Sequence, residues 1–223
     1  VIMKGQPQKA SCIAMEFAKF GDFFDLVVSK KIAFDEKLAR TYFRQLISGL
    51  EYLHNQGVSH LDIKPENLLL GENYQLKIAD FDLSYVEGDD EIKGRGSRYY
   101  RAPELLANMV NEPSKCDVFS AAIMLFVLLS GGKVPQTENI DYKGMNLYEL
   151  LQDDNERFWV EHSKISNMEY GQEFKELFNK MTYENPEQRW NLREVKKSAF
   201  FNGEIYTNEE LTTIMSEKLA QAQ

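Results

Sequence analysis

His60-Leu61-Asp62-Ile63-Lys64-Pro65-Glu66-Asn67, followed by Ile78-Ala79-Asp80-Phe81-Asp82, is the stretch on which the reading of this chain turns. It sets an acid, a lysine and an asparagine in one turn-rich loop. A second acid stands thirteen residues after Asn67, beyond a short apolar run. Residues 68–70 and 76–79, apolar but for Lys77, flank Gly71-Glu72-Asn73-Tyr74-Gln75, which predicts a β-hairpin. A hairpin brings its two ends together, so Asn67 and Asp80 can meet although they are distant in sequence. Carboxylate and amide oxygens are the hard donors that magnesium prefers. A neighbouring cation neutralises phosphate charge, so the set suits phosphoryl chemistry.

Outward from this stretch the chain reads as mainly helical. Residues 35–56 place Leu38, Tyr42, Leu46, Leu50 and Leu53 at helical spacing, with Asp35 as N-cap and Gly57 as stop signal. That stripe is a core face, and it would hold the following loop rigid. Residues 117–131 are apolar nearly all round, which predicts a buried helix. Their longest apolar run, residues 118–129, is too short to span a bilayer. Shorter helices are expected over residues 21–29, 174–181 and 191–198, the last opened by an Asn191/Glu194 capping box. A second box, Thr207 with Glu210, opens an amphipathic tail to about Leu219. The tail suits packing on the body, binding a partner and opening a regulatory segment equally. Residues 11–17 are short and apolar, which predicts a strand. Residues 132–170 are polar and aromatic-rich and assign nothing.

The 223 residues, 43% hydrophobic and 27% charged, have ordinary globular proportions. A net charge of −9 makes nucleic acid a poor partner. Cys12 and Cys116 form neither a metal spacing nor a disulfide framework and fit a reducing, cytoplasmic setting. His54, His60 and His162 have no ligand-like spacing.

The central stretch resembles the signature of eukaryotic serine/threonine protein kinases. His60-Leu61-Asp62 stands where that family has His-Arg-Asp, with Lys64 and Asn67 at the family's spacing. Asp80-Phe81-Asp82 stands for Asp-Phe-Gly, and Ala102-Pro103-Glu104 closes a 25-residue activation segment, residues 80–104. The resemblance covers residues 11–200 and implies a kinase C-lobe with a hinge strand and a small hairpin, residues 1–203, followed by a tail helix, residues 204–223. It implies ATP and magnesium as cofactors and a protein hydroxyl as acceptor. Asp62 would be the base, Lys64 would balance charge, and Asn67 and Asp80 would hold the metal. Met15 would be the gatekeeper, Glu16 and Ala18 would meet the adenine, and Leu69 would floor its pocket. Asp22 would touch the ribose or a basic substrate residue; as a bare residue it reads as a helix N-terminal acid. Gly96 to Glu104 looks like the peptide-positioning loop, with Ser97 bridging Asp62 and Lys64. Asp117 would anchor the catalytic loop, and Arg189 would pair with Glu104. Leu128-Leu129-Ser130-Gly131 leans toward the calcium/calmodulin-dependent group.

Three departures carry expectations of their own. No Gly-rich loop, lysine strand or glutamate helix precedes the hinge, so the N-lobe is absent from this chain. The chain alone should be inactive, and an N-lobe or a partner would cover the hinge strand's unpaired edges. Leu61 replaces the arginine that grips a phosphorylated activation loop. Asp82 replaces a glycine that tolerates positive φ, which would restrain the motif. The alternative class is a pseudokinase or interaction module.

Overall fold

The structure is a computed structural model that describes residues 12–29, 32–92, 98–135 and 147–222. Its helices and strands, in order, are α1 (Glu36–Asn55), β1 (Val58–Ser59), β2 (Leu68–Leu70), β3 (Leu76–Ile78), β4 (Tyr85–Val86), α2 (Pro103–Leu106), α3 (Pro113–Leu129), α4 (Leu147–Asp153), α5 (Asn155–Ser166), α6 (Gln172–Met181), α7 (Leu192–Val195), α8 (Ala199–Asn202) and α9 (Asn208–Gln221). The architecture is mainly helical. The strands form two antiparallel pairs, β2 with β3 and β1 with β4.

Helix α1 begins where Asp35 accepts the Leu38 N–H at 2.7 Å, and the chain turns away at Gly57 with φ +71°. Leu38, Tyr42, Leu46 and Leu50 are buried along its inner face, and Leu53 is half-buried. They pack against α3, which is buried all round from Lys115 to Leu129. Each such side chain contributes about 1.5–3 kcal/mol on burial. Helix α3 starts four residues before the expected Asp117, because Pro113 occupies its first turn, where a missing N–H costs nothing.

Residues 147–170, opaque in sequence, supply part of the second half of the core. Phe126 of α3 meets Phe158, Trp159, Tyr170, Phe174 and Phe178, with ring centroids 5.3–6.4 Å apart. His162 is buried among them and donates from Nε2 to the Pro135 carbonyl at 3.0 Å. Burial pushes its pKa down to about 4, so the ring is neutral at pH 7. The expected 191–198 helix is instead α7 and α8. Ser198 breaks the run and caps α8 through the Phe201 N–H.

Both capping boxes form as expected. Helix α9 buries Leu211 and Met215 against the body, Lys218 Nζ donates to the Ala33 carbonyl at 2.8 Å, and Tyr206 N–H donates to Thr41 Oγ1 at 3.0 Å. Of the three readings of the tail, packing on the body is the one adopted.

The hinge strand does not form among residues 12–17. A strand requires a neighbouring chain to satisfy its N–H and C=O groups, and none among the described residues pairs with these. Ile13, Met15 and Phe17 are 86%, 75% and 82% exposed. Residues 21–29 hold one helical turn that widens to π geometry over Asp25–Ser29.

Candidate active site

The loop that begins at His60 hangs from α3. Asp117 Oδ2 accepts the His60 N–H and Oδ1 the Leu61 N–H, both at 2.8 Å, and His54 Nε2 lies 2.8 Å from Oδ2. Leu61 is buried with φ +62°, a left-handed conformation that a side chain disfavours. Such strain persists only where the surroundings over-determine it, and the paired hydrogen bonds from Asp117 do so. Asp117→Asn keeps one acceptor and turns an amide donor toward the other donors. It is expected to lower stability by about 1–3 kcal/mol, read as a lower Tm in calorimetry; an unchanged Tm would remove Asp117 from this role.

From that anchor the loop orders itself. His60 Nδ1 accepts the Asp62 N–H at 3.3 Å, and its Nε2–H donates to the Ala79 carbonyl at 3.0 Å. Phe81 packs against the same ring, with centroids 5.0 Å apart. Asp62 Oδ2 accepts from Lys64 Nζ at 2.6 Å and from Asn67 Nδ2 at 3.0 Å. Asn67 Nδ2 also donates to the Asp62 carbonyl at 2.9 Å. Asp62 and Asn67 are buried, and Lys64 is half-buried. Lys64 and Asn67, expected to work with Asp62, are therefore both hydrogen-bonded to it.

The hairpin closes as its sequence predicts. Leu68 faces Ile78, Leu69 faces Lys77 and Leu70 faces Leu76, and the Ala79 N–H donates to the Asn67 carbonyl at 2.9 Å. Asp80 follows directly, so it stands at the hairpin's foot beside Asn67. It is exposed, with φ +66°. The Asn67 amide nitrogen is spent on Asp62, leaving its oxygen, like the Asp80 carboxylate, as a hard donor. Among the described residues no cluster of three or more His, Cys, Asp or Glu forms a metal site. A two-group site fits magnesium, which keeps water and takes phosphate oxygens. Asp82 is not in the left-handed region, and its N–H donates to Asp80 Oδ1 at 3.4 Å. The strain expected of an aspartate in glycine's place is absent in this backbone conformation.

The remaining candidates divide. Leu69 forms a β-bridge with Asp22, and the Leu70 N–H donates to the Gly21 carbonyl at 2.8 Å, so Leu69 lies on the face beside residues 20–22. The Asp22 carboxylate accepts the Asp25 N–H at 2.8 Å, the capping role of a helix N-terminal acid. Met15 and Glu16 are exposed, and Glu16 pairs with Lys77 at 3.1 Å. Ala18 is half-buried and its carbonyl accepts the Gly21 N–H at 3.4 Å. Ser97 lies outside the described residues.

Two participants escaped sequence reading. His54 showed only helical position, and its contact with Asp117 joins residues 63 positions apart. Arg101 carried no reading of its own in the sequence, yet it is buried.

Below the loop, Arg189 is 1% exposed and meets Glu104 through two hydrogen bonds, 2.5 and 2.9 Å. Its other donors reach the carbonyls of Tyr183, Lys115 and Glu184, so all five are used. The Cys116 thiol donates to Glu104 at 3.3 Å, and burial raises its pKa, keeping it protonated. A cleft of about 580 Å³, lined by Glu51, His54, Ser59 and Arg193 among others, lies apart from Asp62.

A family model for the protein kinase domain matches residues 3–201. The chain belongs to the protein kinase family, and its relatives set it among eukaryotic serine/threonine kinases related to the calcium/calmodulin-dependent group. It is 35% identical over 198 residues to CBL-interacting protein kinase 26 of Oryza sativa subsp. japonica, covering 84% of this chain and 36% of that protein. It is 34% identical over 193 residues to CBL-interacting serine/threonine-protein kinase 20 of Arabidopsis thaliana, covering 84% and 41%. Against serine/threonine protein kinase OSK3 of Oryza sativa subsp. indica the identity is 35% over 192 residues, covering 85% and 35%. The chain thus spans well under half the length of these relatives. Protein kinases as a family use ATP and a divalent metal and act on proteins. Among the described residues no helix is long and apolar enough to cross a membrane.

Proposed function

We propose that this chain is the helical C-lobe of an ATP- and magnesium-dependent serine/threonine protein kinase, residues 1–203, with a packed tail helix after it. The observation that carries the reading is Asp62, buried, hydrogen-bonded by Lys64 and Asn67, and fixed from behind by His60 and Asp117. Asp62 orients the acceptor hydroxyl and receives its proton as the oxygen attacks the γ-phosphorus. Lys64 shares the charge that collects on the transferred group. Asn67 and Asp80 hold magnesium, which neutralises phosphate charge when bound. Leu69 floors the adenine pocket, and the backbone of Glu16 and Ala18, beside Met15, borders it. The exposed Ile13, Met15 and Phe17 support a complementary lobe or partner covering this face. Unpaired Cys12 and Cys116 support an intracellular, reducing setting.

The test is ATP·Mg binding by thermal shift, on this chain and on the full-length protein. A shift of several degrees in the full-length protein, and little in this chain, is the expected result. No shift in either, with magnesium present, would overturn the reading and favour a non-catalytic interaction module.

A further inference from the structure

Asn73 and Tyr74, in the turn of the β2–β3 hairpin, follow one another with φ +55° and +58°. Left-handed backbone is costly for a residue with a side chain. Such strain persists only where the surroundings over-determine it, and it gathers at functional positions. Here the surroundings are specific. The Tyr42 hydroxyl donates to the Tyr74 carbonyl at 3.1 Å, within the core. The Tyr74 ring stacks on Phe20, with centroids 4.4 Å apart and planes 24° from parallel. Helix α9 lies against the turn, and beside it Gln75 Nε2 donates to Asn208 Oδ1 at 3.3 Å. The tail is fastened at both ends, by the Tyr206 N–H on Thr41 Oγ1 and by Lys218 Nζ on the Ala33 carbonyl. Between them Leu211 and Met215 are fully buried.

Phe20 gives this turn a role beyond packing. Its N–H donates to the Leu70 carbonyl at 3.0 Å, and the Leu70 N–H donates to the Gly21 carbonyl at 2.8 Å. Residues 20–22 are thereby laced to β2 beside Leu69. A turn closed by the Gly21 N–H on the Ala18 carbonyl, at 3.4 Å, leads from there to Ala18. Leu69 and Ala18 are the proposed floor and border of the adenine pocket. We propose that Tyr74 is a positioning residue for ATP and that α9 works through it: the seated tail holds the 72–74 turn against Phe20 and so fixes the adenine border. This rests on the kinase reading above and adds a control to it, since ATP affinity then follows the seating of the tail. A stacked pair keeps its gain only at ring-contact distance, so a tail that lifts releases Phe20.

The test is made on the full-length protein. Kd for ATP·Mg by calorimetry, kcat and KM for ATP, and amide hydrogen exchange at Phe20 are measured for the parent and four variants. Tyr74→Phe keeps the ring, and the Tyr42 hydrogen bond goes to the backbone, so it should match the parent. Tyr74→Ala removes the stack, and Leu211→Asp unseats the tail. Each should weaken ATP binding about three- to tenfold, raise KM by that factor, leave kcat at saturating ATP unchanged and speed exchange at Phe20. The two together should weaken binding no further than one alone, because both release the same stack. Leu177→Ala, which empties a buried position of α6, should lower Tm without moving Kd. If Leu211→Asp does not fold, Tyr74→Ala against Leu177→Ala still decides the matter. Unchanged Kd in Tyr74→Ala, or an equal loss in Leu177→Ala, would overturn the proposal and leave the kinase reading intact. A parent that binds no ATP·Mg would overturn the kinase reading and this inference with it.

Discussion

Asp62→Asn in the full-length protein is expected to lower kcat by about 10²–10⁴-fold, the usual contribution of a positioned general base, while ATP·Mg still produces its thermal shift. The substitution is nearly isosteric. Lys64 and Asn67 both donate to Asp62 Oδ2, and an amide oxygen at that position can still accept from them. What is lost is the negative charge that attracts the hydroxyl proton and offsets Lys64. Binding and chemistry therefore separate: KM for ATP should move little and turnover should collapse. Unchanged turnover would mean that the proton leaves by another route and that Asp62 is only a structural acceptor.

Arg189→Ala is expected to destabilise the fold by about 3–5 kcal/mol, the cost of breaking a buried ion pair from one side. For a domain of this size that is roughly 6–20 °C in Tm. The magnitude follows from what remains: Glu104, 8% exposed, would be left with the Cys116 thiol as its hydrogen-bond donor. The carbonyls of Tyr183, Lys115 and Glu184 would also lose a donor. A double replacement, Arg189→Met with Glu104→Leu, should recover most of the loss, since an apolar pair of similar volume is often neutral. A melting curve that does not move in the single variant would reduce the contact to a surface pair worth under about 1 kcal/mol.

Much of this molecule was legible because its local rules agree with its fold. The N-cap at Asp35, the stripe from Leu38 to Leu50 and the stop at Gly57 all point to one helix, and that helix forms. The hairpin that joins Asn67 to Asp80 follows from its turn residues. The Asp117 anchor and the Glu104–Arg189 pair came from resemblance rather than from pattern, since nothing local connects residues 85 positions apart. What stayed hidden depends on neighbours. The apolar stretch at Ile13 to Phe17 has the composition of a strand, but among the described residues it has no partner to pair with. The aromatic residues around Phe126 show no clean period because several short elements share them. At Asp82 the backbone is not left-handed; the left-handed residues of this site are Leu61 and Asp80.

The attachment of His60 and Leu61 to Asp117 also sets how the loop comes apart. Loops usually fray first, since their amides face water. Here two loop amides are tied to a carboxylate with no solvent exposure, in the first turns of the most buried helix. Those amides should exchange their hydrogens with solvent on the schedule of α3, well after those of the turn at residues 72–74. The proposed site would then open with α3, and heat would silence it only by unravelling the core.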